Sequence, residues 1–433
     1  MDKKLIGKKI LVLGGAHQHL KLVETAKKMG IITYVTDYLK HEYSPAKQIA
    51  DYGYMYNVTD IDELVTLCEK EHIDGIIASY LDITQKSYCI LCERLGLPCF
   101  GNNEQHKILT DKSVFKQFCE GHGVDVITSY QEKDIIDSGK VGNKIEYPII
   151  IKPCDSRGSR GQTICWSHEE AMKAIGFAKK ESLSENIVIE KYLGTENDLQ
   201  LVYMVIEGEP ILVRVEDRYL GDEYSGLDKL AIASIEPSIH EQWYRDKIND
   251  KVVSMIKALG LKNAPVFIQG LMDRDTVRFY DPGIRLPGDE YDRIYKFVTG
   301  IDLTELVIKF ALTGDMSVEI GKKIKNAKID KATAMIYSAV RPGKIVRIDG
   351  LEEIKKNPNV LFMTQIYKEG DIVERYNNVK QRFGEFDISC DNFKHLKDTI
   401  EWVFNTLHVY DENGQDMVYA RFDTQILEKY IKV

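Results

Sequence analysis

A lysine at the end of an apolar strand, followed by glycine, serine and arginine, is an arrangement able to hold phosphate. Tyr147-Pro148-Ile149-Ile150-Ile151-Lys152 leads into Pro153-Cys154-Asp155-Ser156-Arg157-Gly158-Ser159-Arg160-Gly161, then Gln162-Thr163-Ile164-Cys165-Trp166. Two apolar stretches flanking such a tip read as a hairpin. The glycines allow backbone N–H groups to turn toward an anion, and Lys152, Arg157 and Arg160 supply positive charge. Taken alone, the segment is equally a solvated basic turn. The pattern G-x-x-x-x-G-K-[ST] occurs nowhere in the chain, which removes the commonest other phosphate cradle.

Further residues of the same chemical kind follow. Ile187-Val188-Ile189-Glu190-Lys191-Tyr192-Leu193-Gly194-Thr195-Glu196 is an apolar strand ending in a carboxylate, a lysine and a second acid. Val266 to Leu271 and Val277 to Asp281 read as paired strands around an Asp273-Arg274-Asp275 turn, which brings Gln269 close to Asp281. Pro282-Gly283-Ile284-Arg285-Leu286-Pro287-Gly288 comes directly after. Arg214, Asp217, Arg218 and Tyr219 form a charged strand end, suited to clamping a carboxylate or to ordinary internal ion pairs. Cys89-Ile90-Leu91-Cys92 falls in a helix with Cys99 nearby, but no second C-x-x-C and no His-x3-His completes a zinc shell. These thiols are expected to be small buried apolar groups.

The elements that must position these groups show a consistent pattern. Lys9 to Leu13, Ile31 to Val35 and Gly75 to Ala78 are short apolar strands, separated by amphipathic stretches such as Leu20 to Met29. That alternation predicts a parallel sheet covered on both faces. Gly14-Gly15 follows the first strand, but His17, Gln18 and His19 stand where G-x-G-x-x-G would continue, so the pair supports the fold without predicting NAD or FAD. The open-sheet rule puts a ligand crevice near Gly14, Gly15, His17 and the Ser79-Tyr80 turn. With 433 residues, two or three domains are expected. The charge of −9 argues against nucleic acid as a partner, and no apolar run is long enough for a membrane span. A cytoplasmic protein is expected.

Asp111-Lys112, the Lys152 strand with its Asp-Ser-x-Gly-Ser-x-Gly loop, Glu190-Lys191-Tyr192-Leu193 and Asp281-x-Gly283-x-Arg285 together resemble the ATP-grasp superfamily. The resemblance runs over the whole chain. It includes the tail segments Pro342 to Ile345, Ile348 to Leu351 and Lys368 to Asp371, which are similar to the C-terminal domain of L-amino acid ligases and carboxylases. It implies an α/β protein: a Rossmann-like pre-ATP-grasp domain at 1–105, a two-part ATP-grasp clamp at 106–317 with its lid about 128–192, and a small α+β domain at 318–433. It further implies that Lys112 and Lys152 hold ATP phosphates, and that Ser156, Arg157, Gly158, Ser159, Arg160 and Gly161 close over the triphosphate. Glu190, Lys191, Tyr192 and Leu193 would face adenine, and Glu196 the ribose. Arg285 would span the transferring phosphoryl group and a bound carboxylate. Implied cofactors are ATP and Mg2+, with Mn2+ as an alternative metal. Implied partners are small carboxylate and amine substrates, with a homodimer as the assembly.

One departure from the family pattern concerns the metal. The family's strand pair carries two glutamates and an asparagine, whereas the matching positions here are Gln269, Asp281 and Gly283. Only one carboxylate remains for a hard cation that prefers charged oxygen. Either Asp289 or Glu290 compensates, or nucleotide and water complete the shell. The leading expectation is an ADP-forming carboxylate–amine ligase, of amino-acid or peptide type, working through an acylphosphate. A phosphoribosylamine–glycine ligase-like or carbamoyl-phosphate synthetase-like enzyme is the alternative within that chemistry, and an ATP-binding regulatory protein without turnover the alternative outside it.

Overall fold

The structure is a computed structural model and describes residues 3–138, 145–153, 161–182, 185–194, 198–221, 231–289, 291–375, 379–419 and 421–432. Near the N-terminus lie four parallel strands, β1 (Lys9–Leu13), β2 (Ile32–Thr36), β3 (Tyr52–Tyr54) and β4 (Gly75–Ile77), in the order β3-β2-β1-β4. Helices α1 (Leu20–Lys28), α2 (Pro45–Ile49), α3 (Ile61–Glu71) and α4 (Gln85–Leu95) connect or follow them. In α1, Leu22, Val23 and Ala26 are buried and Lys27 and Lys28 are exposed, the 3.6-residue stripe of a helix laid on a sheet. Gly96 ends α4 with φ +64, a left-handed stop that glycine adopts without strain.

Two short helices lead out of this unit: α5 (Asn103–Ile108) and α6 (Lys112–Gly121). The Asp111 carboxylate accepts the backbone N–H groups of Ser113 and Val114 at the start of α6, a cap worth about 1 kcal/mol that also fixes where Lys112 begins. Beyond it, β5 (Ser129–Tyr130), β6 (Ile149–Pro153), β7 (Thr163–Cys165) and β8 (Ile187–Lys191) form a small antiparallel sheet in the order β5-β8-β6-β7. Its own apolar cluster joins Ile149, Ile151 and Ile189 to Ala171, Ala174 and Ala178 of the helix His168–Glu181.

The central sheet contains β9 (Asp198–Ile206), β10 (Glu209–Leu220), β11 (Ala231–Glu236), β12 (Ala264–Asp273), β13 (Thr276–Gly283) and β14 (Ala332–Val340). They run in the order β13-β12-β9-β10-β11-β14, then Arg382–Cys390 and Val360–Gln365, with Val418–Tyr419 paired to β14. Every residue of β9 and β14 is buried because both faces of the sheet are covered. The pairing of β11 with β14 carries one sheet across the expected boundary at 317/318. One apolar cluster likewise runs from the N-terminal strands into β9, β12 and β13, so the two regions share a core. No helix among the described residues is long and apolar enough to cross a membrane.

Candidate functional site

A cavity of about 270 Å³ opens between the small sheet and the central one, lined by Lys112, Ile127, Ile150, Lys152, Glu190, Lys191, Tyr192, Leu193, Gly194, Asp198, Arg218, Leu220, Gln269, Leu271 and Tyr280. It therefore brings together Lys112, Lys152, the Glu190–Leu193 strand end and Gln269, which are spread over more than 150 positions of sequence. Lys152 projects from β6 and donates to Glu190 Oε2 at 2.7 Å. Glu190 faces it from β8, which pairs with β6 in antiparallel register. Its other oxygen accepts from Lys116, which also donates to Ser129 Oγ at 2.9 Å. Burial alone would push the Glu190 carboxyl up, but Lys152 and Lys116 outweigh it and hold the group below the usual carboxylate range. Lys191 points away from this pair, toward the carbonyls of Glu146 and Tyr147 at 3.0 and 3.1 Å, so its contribution to the cavity wall is through its stem and main chain.

Lys112, the first residue of α6, pairs with Asp281 Oδ1 at 2.9 Å. Desolvation works to lower its ammonium, and Asp281 more than reverses this, so the group stays charged. Gln269 and Asp281 are directly opposed in the β12–β13 hairpin. The Gln269 side chain is tied into the sheet: its Nε2 donates to Gln200 Oε1 at 2.7 Å and its Oε1 accepts from Tyr280 at 3.2 Å. Gly283 is more than a missing ligand. A Cβ there would stand 2.0 Å from the Phe267 ring, so the space an asparagine would use is filled by that ring. Asp289 does not turn to the metal position either, because Arg214 Nη2 holds both its oxygens at 3.0 and 2.9 Å. Burial pushes Asp289 up, and Arg214 pulls it back down. Glu290 lies outside the described residues. The donor set thus fits one Mg2+ held by Asp281 and the amide oxygen of Gln269, with phosphate oxygens and water completing it.

Arg285 does not line the cavity. It is buried, its Nε and Nη2 both reach Asp82 Oδ1 at 2.8 Å, its Nη1 donates to Leu286 O at 3.0 Å, and its guanidinium lies 4.6 Å from the Phe267 ring centre. Asp82 follows β4, so Arg285 sits where the N-terminal crevice meets the strand pair. That crevice is closed by Tyr80 N–H donating to Leu286 O at 3.2 Å and by a buried ion pair of Lys21 with Asp292. His19 lies beneath Gly14, its imidazole pulled down to about 4 by burial. Gly161 is buried against Pro153 and Glu181, away from the cavity. Ser156, Arg157, Gly158, Ser159, Arg160 and Glu196 lie outside the described residues.

The floor of the cavity continues as a buried polar ladder. Gln269 on β12, Gln200 on β9 and Glu216 on β10 are neighbours in register, and Gln200 Nε2 donates to Glu216 Oε1 at 2.7 Å. Arg214 pairs with Glu216 and stacks 4.1 Å from the Tyr291 ring centre; Arg218 donates to Asp198 Oδ2 at 2.8 Å. Burial pushes Asp198 up to about 6 and Glu236 to about 8. Of the charged strand end, Arg214 and Arg218 face this ladder, while Asp217 is taken up by Ser238, Ile239 and Tyr430. Sequence reasoning missed Lys116, Asp198, Gln200 and Glu216. Lys116 stands four residues after Lys112 and hence on the same helix face. Asp198 and Gln200 alternate with apolar residues in an otherwise apolar strand, the period of one sheet face.

A cavity between two antiparallel sheets, with lysine ammonium groups from α6 and β6 at its wall, has the chemistry to hold a phosphate chain. Residues 111–318 match the family described as carbamoyl-phosphate synthase L chain, ATP binding domain, and residues 10–84 match the PylC-like N-terminal domain. The chain belongs to the ATP-grasp superfamily, a family of ATP-dependent, ADP-forming ligases and carboxylases whose cofactors are ATP and Mg2+, and it is an enzyme of that class. Among curated relatives, the formate-dependent phosphoribosylglycinamide formyltransferase of Sulfurisphaera tokodaii is 23% identical over 290 residues, 64% of this chain and 71% of the relative. That of Methanocaldococcus jannaschii is 20% identical over 345 residues, 77% of this chain and 87% of the relative. Among solved structures, an L-amino acid ligase from Bacillus licheniformis superposes with a TM-score of 0.77 at 17% identity, over 94% of this chain and all (100%) of the other. Phosphoribosylglycinamide synthetase from Anaerococcus prevotii gives a TM-score of 0.76 at 18% identity, over 94% and 100%. At these identities the structural likenesses establish the fold.

Proposed function

We propose that this protein is a carboxylate–amine ligase of amino-acid type, joining a small carboxylate to an amine at the cost of one ATP through an acylphosphate. The observation that carries the reading is the ladder behind the cavity, where Arg214 and Arg218 alternate with Asp198, Glu216 and Asp289. An amino acid presents a carboxylate and an ammonium on one carbon, and where the ladder reaches the cavity wall, at Arg218 and Asp198, it offers both signs of charge. A carboxylate attacking the γ-phosphate brings two anions together, so the required work is charge neutralisation and positioning. Lys112 and Lys152 would neutralise phosphate oxygens, and Asp281 with Gln269 would hold Mg2+. Arg285, released from Asp82, would bridge the phosphoryl group and the carboxylate with its planar fork. A homodimer in the cytoplasm belongs to the same reading.

A second reading has support in the curated relatives, which are named as acting on phosphoribosylglycinamide with formate. ADP release with pooled amino acids, and separately with formate plus a phosphoribosylated amine, distinguishes the two, with products identified by mass spectrometry. Substrate-dependent ADP with pooled amino acids is the expected result. Turnover confined to the second mixture overturns the amino-acid assignment, and tight nucleotide binding without turnover in either overturns the ligase. Arg285→Lys should lower kcat roughly tenfold or more with little change in ATP affinity, since lysine keeps the charge and loses the fork.

A further inference from the structure

Away from the nucleotide cavity, where α4 gives way to α5, three cysteines and a histidine converge. Cys89 and Cys92 are one helical turn apart on α4. The chain then turns through Gly96 and Pro98 to Cys99, and α5 delivers His106. The position of α5 is fixed by a capping box, Asn102 with Gln105, and by Gln105 Nε2 donating to Leu259 O at 2.8 Å. One ligand atom each from Cys89, Cys99 and His106 lies within 4.8 Å of the others, and Cys99 Sγ is 3.7 Å from His106 Nε2. The Cys92 thiol donates to Cys99 as well.

We propose that Cys89, Cys99 and His106 bind a structural Zn2+ ion, with Cys92 closing the fourth position. In a tetrahedral site with Zn–S of about 2.3 Å and Zn–N of about 2.0 Å, sulfur and nitrogen are separated by about 3.5 Å. The Cys99–His106 distance of 3.7 Å is already close to that edge. Thiolate and imidazole select a soft or borderline cation over Mg2+, so this is chemically a different site from the oxygen donors of the nucleotide cavity. Cys89, Cys92 and His106 are buried, and the rings of Tyr88 and Phe100 border them, which suits a closed structural site. Cys99 faces a cleft lined also by Gly101, Gln105, Lys262 and Phe310, which supplies an entry path. The His106 ring packs beside Tyr88 with its Nε2 turned to Cys99, and its Nδ1 is buried with no hydrogen-bond partner among the described residues. Binding releases the protons of the coordinating thiols to solvent and leaves the metal unreduced. The ion would pin α4 to α5, and Lys112 begins α6 only six residues after His106. The structure leaves Cys89 and Cys92 as free, buried thiols, as the sequence suggests; what the sequence does not display is His106, which reaches them from a separate helix outside any contiguous zinc motif.

The test uses the full chain purified from zinc-supplemented medium without added chelator. Elemental analysis should find one zinc per chain in the wild type and background zinc in Cys89→Ser/Cys99→Ser. Chelation of the wild type followed by Co2+ should produce thiolate-to-cobalt charge-transfer absorption, weakened by about a third in Cys92→Ser as one of three thiolates is lost. This wild-type measurement needs no variant to fold. Equal zinc in the wild type and the double variant overturns the site. So does a thiol count under denaturing conditions that reveals a Cys89–Cys99 disulfide, or cobalt-loaded wild type without charge-transfer absorption.

Discussion

Glu190 is the residue on which the proposed nucleotide cavity turns. Because Lys116 and Lys152 share its carboxylate, the two lysines stand side by side without a ligand despite their mutual repulsion. A triphosphate entering the cavity would compete with Glu190 for Lys152, whose side chain is 34% exposed and thus accessible. Lys152→Ala should weaken ATP binding by about 1.5–3 kcal/mol, a loss of roughly ten- to a hundredfold in Kd, with circular dichroism and Tm little changed. Unchanged affinity by calorimetry would remove Lys152 from the phosphate site. At Gln269 the expectation is of opposite sign. Gln269→Glu places a second carboxylate across from Asp281 and should lower the magnesium concentration needed for half-maximal rate. It also abolishes the amide donor to Gln200, so a small stability loss accompanies the gain. The same magnesium dependence in both proteins would place Gln269 away from the metal.

At the scale of elements, the β12–β13 hairpin and the Phe267 ring explain why the proposed metal site would be built from so few carboxylates. Phe267 on β12 is opposite Gly283 on β13, and its ring both occupies the space over Gly283 and supports the Arg285 guanidinium. The glycine is therefore required by the phenylalanine. Gly283→Asn alone should destabilise by about 1–3 kcal/mol through overpacking, whereas adding Phe267→Leu should recover part of that loss and raise magnesium affinity. Denaturant midpoints of the two single variants and the double variant would check this. Strict additivity would show that the two positions do not compete for space. The α4–α5 junction and α6 belong to the same scale. Asp111 starts α6 at Lys112, and the next turn of that helix presents Lys116 to Glu190.

For the whole molecule, the shared sheet has an electrostatic cost that shows in its pH response. Glu236 ends β11 inside the sheet, and burial raises its carboxyl from 4.5 to about 8. Between those two values the folded chain keeps a proton that the unfolded chain releases, so stability falls as pH rises through this window. Glu236→Gln removes that difference. Its Tm should therefore decline less than that of the wild type between pH about 5 and about 8.5. Parallel Tm–pH curves for the two proteins would mean that Glu236 is not held protonated.

Strand and helix alternation over the first hundred residues, the Lys152 hairpin and the opposition of Gln269 to Asp281 were legible in the sequence. They depend on local periodicity and on turn residues close to one another along the chain, such as Asp273-Arg274-Asp275. The superfamily was legible too, because its motifs are short, ordered and carried by residue types that phosphate chemistry demands. Tertiary structure alone decided the partners. Lys116 shares Glu190 from 74 positions away, Arg285 meets Asp82 across 203, and His106 reaches the cysteines from another helix. It also decided that one sheet continues through β11 and β14, and that the Phe267 ring fills the space a side chain at Gly283 would need. Periodicity records which face of an element is apolar. Which element faces it is set by packing between segments remote in sequence, and that packing leaves no local trace.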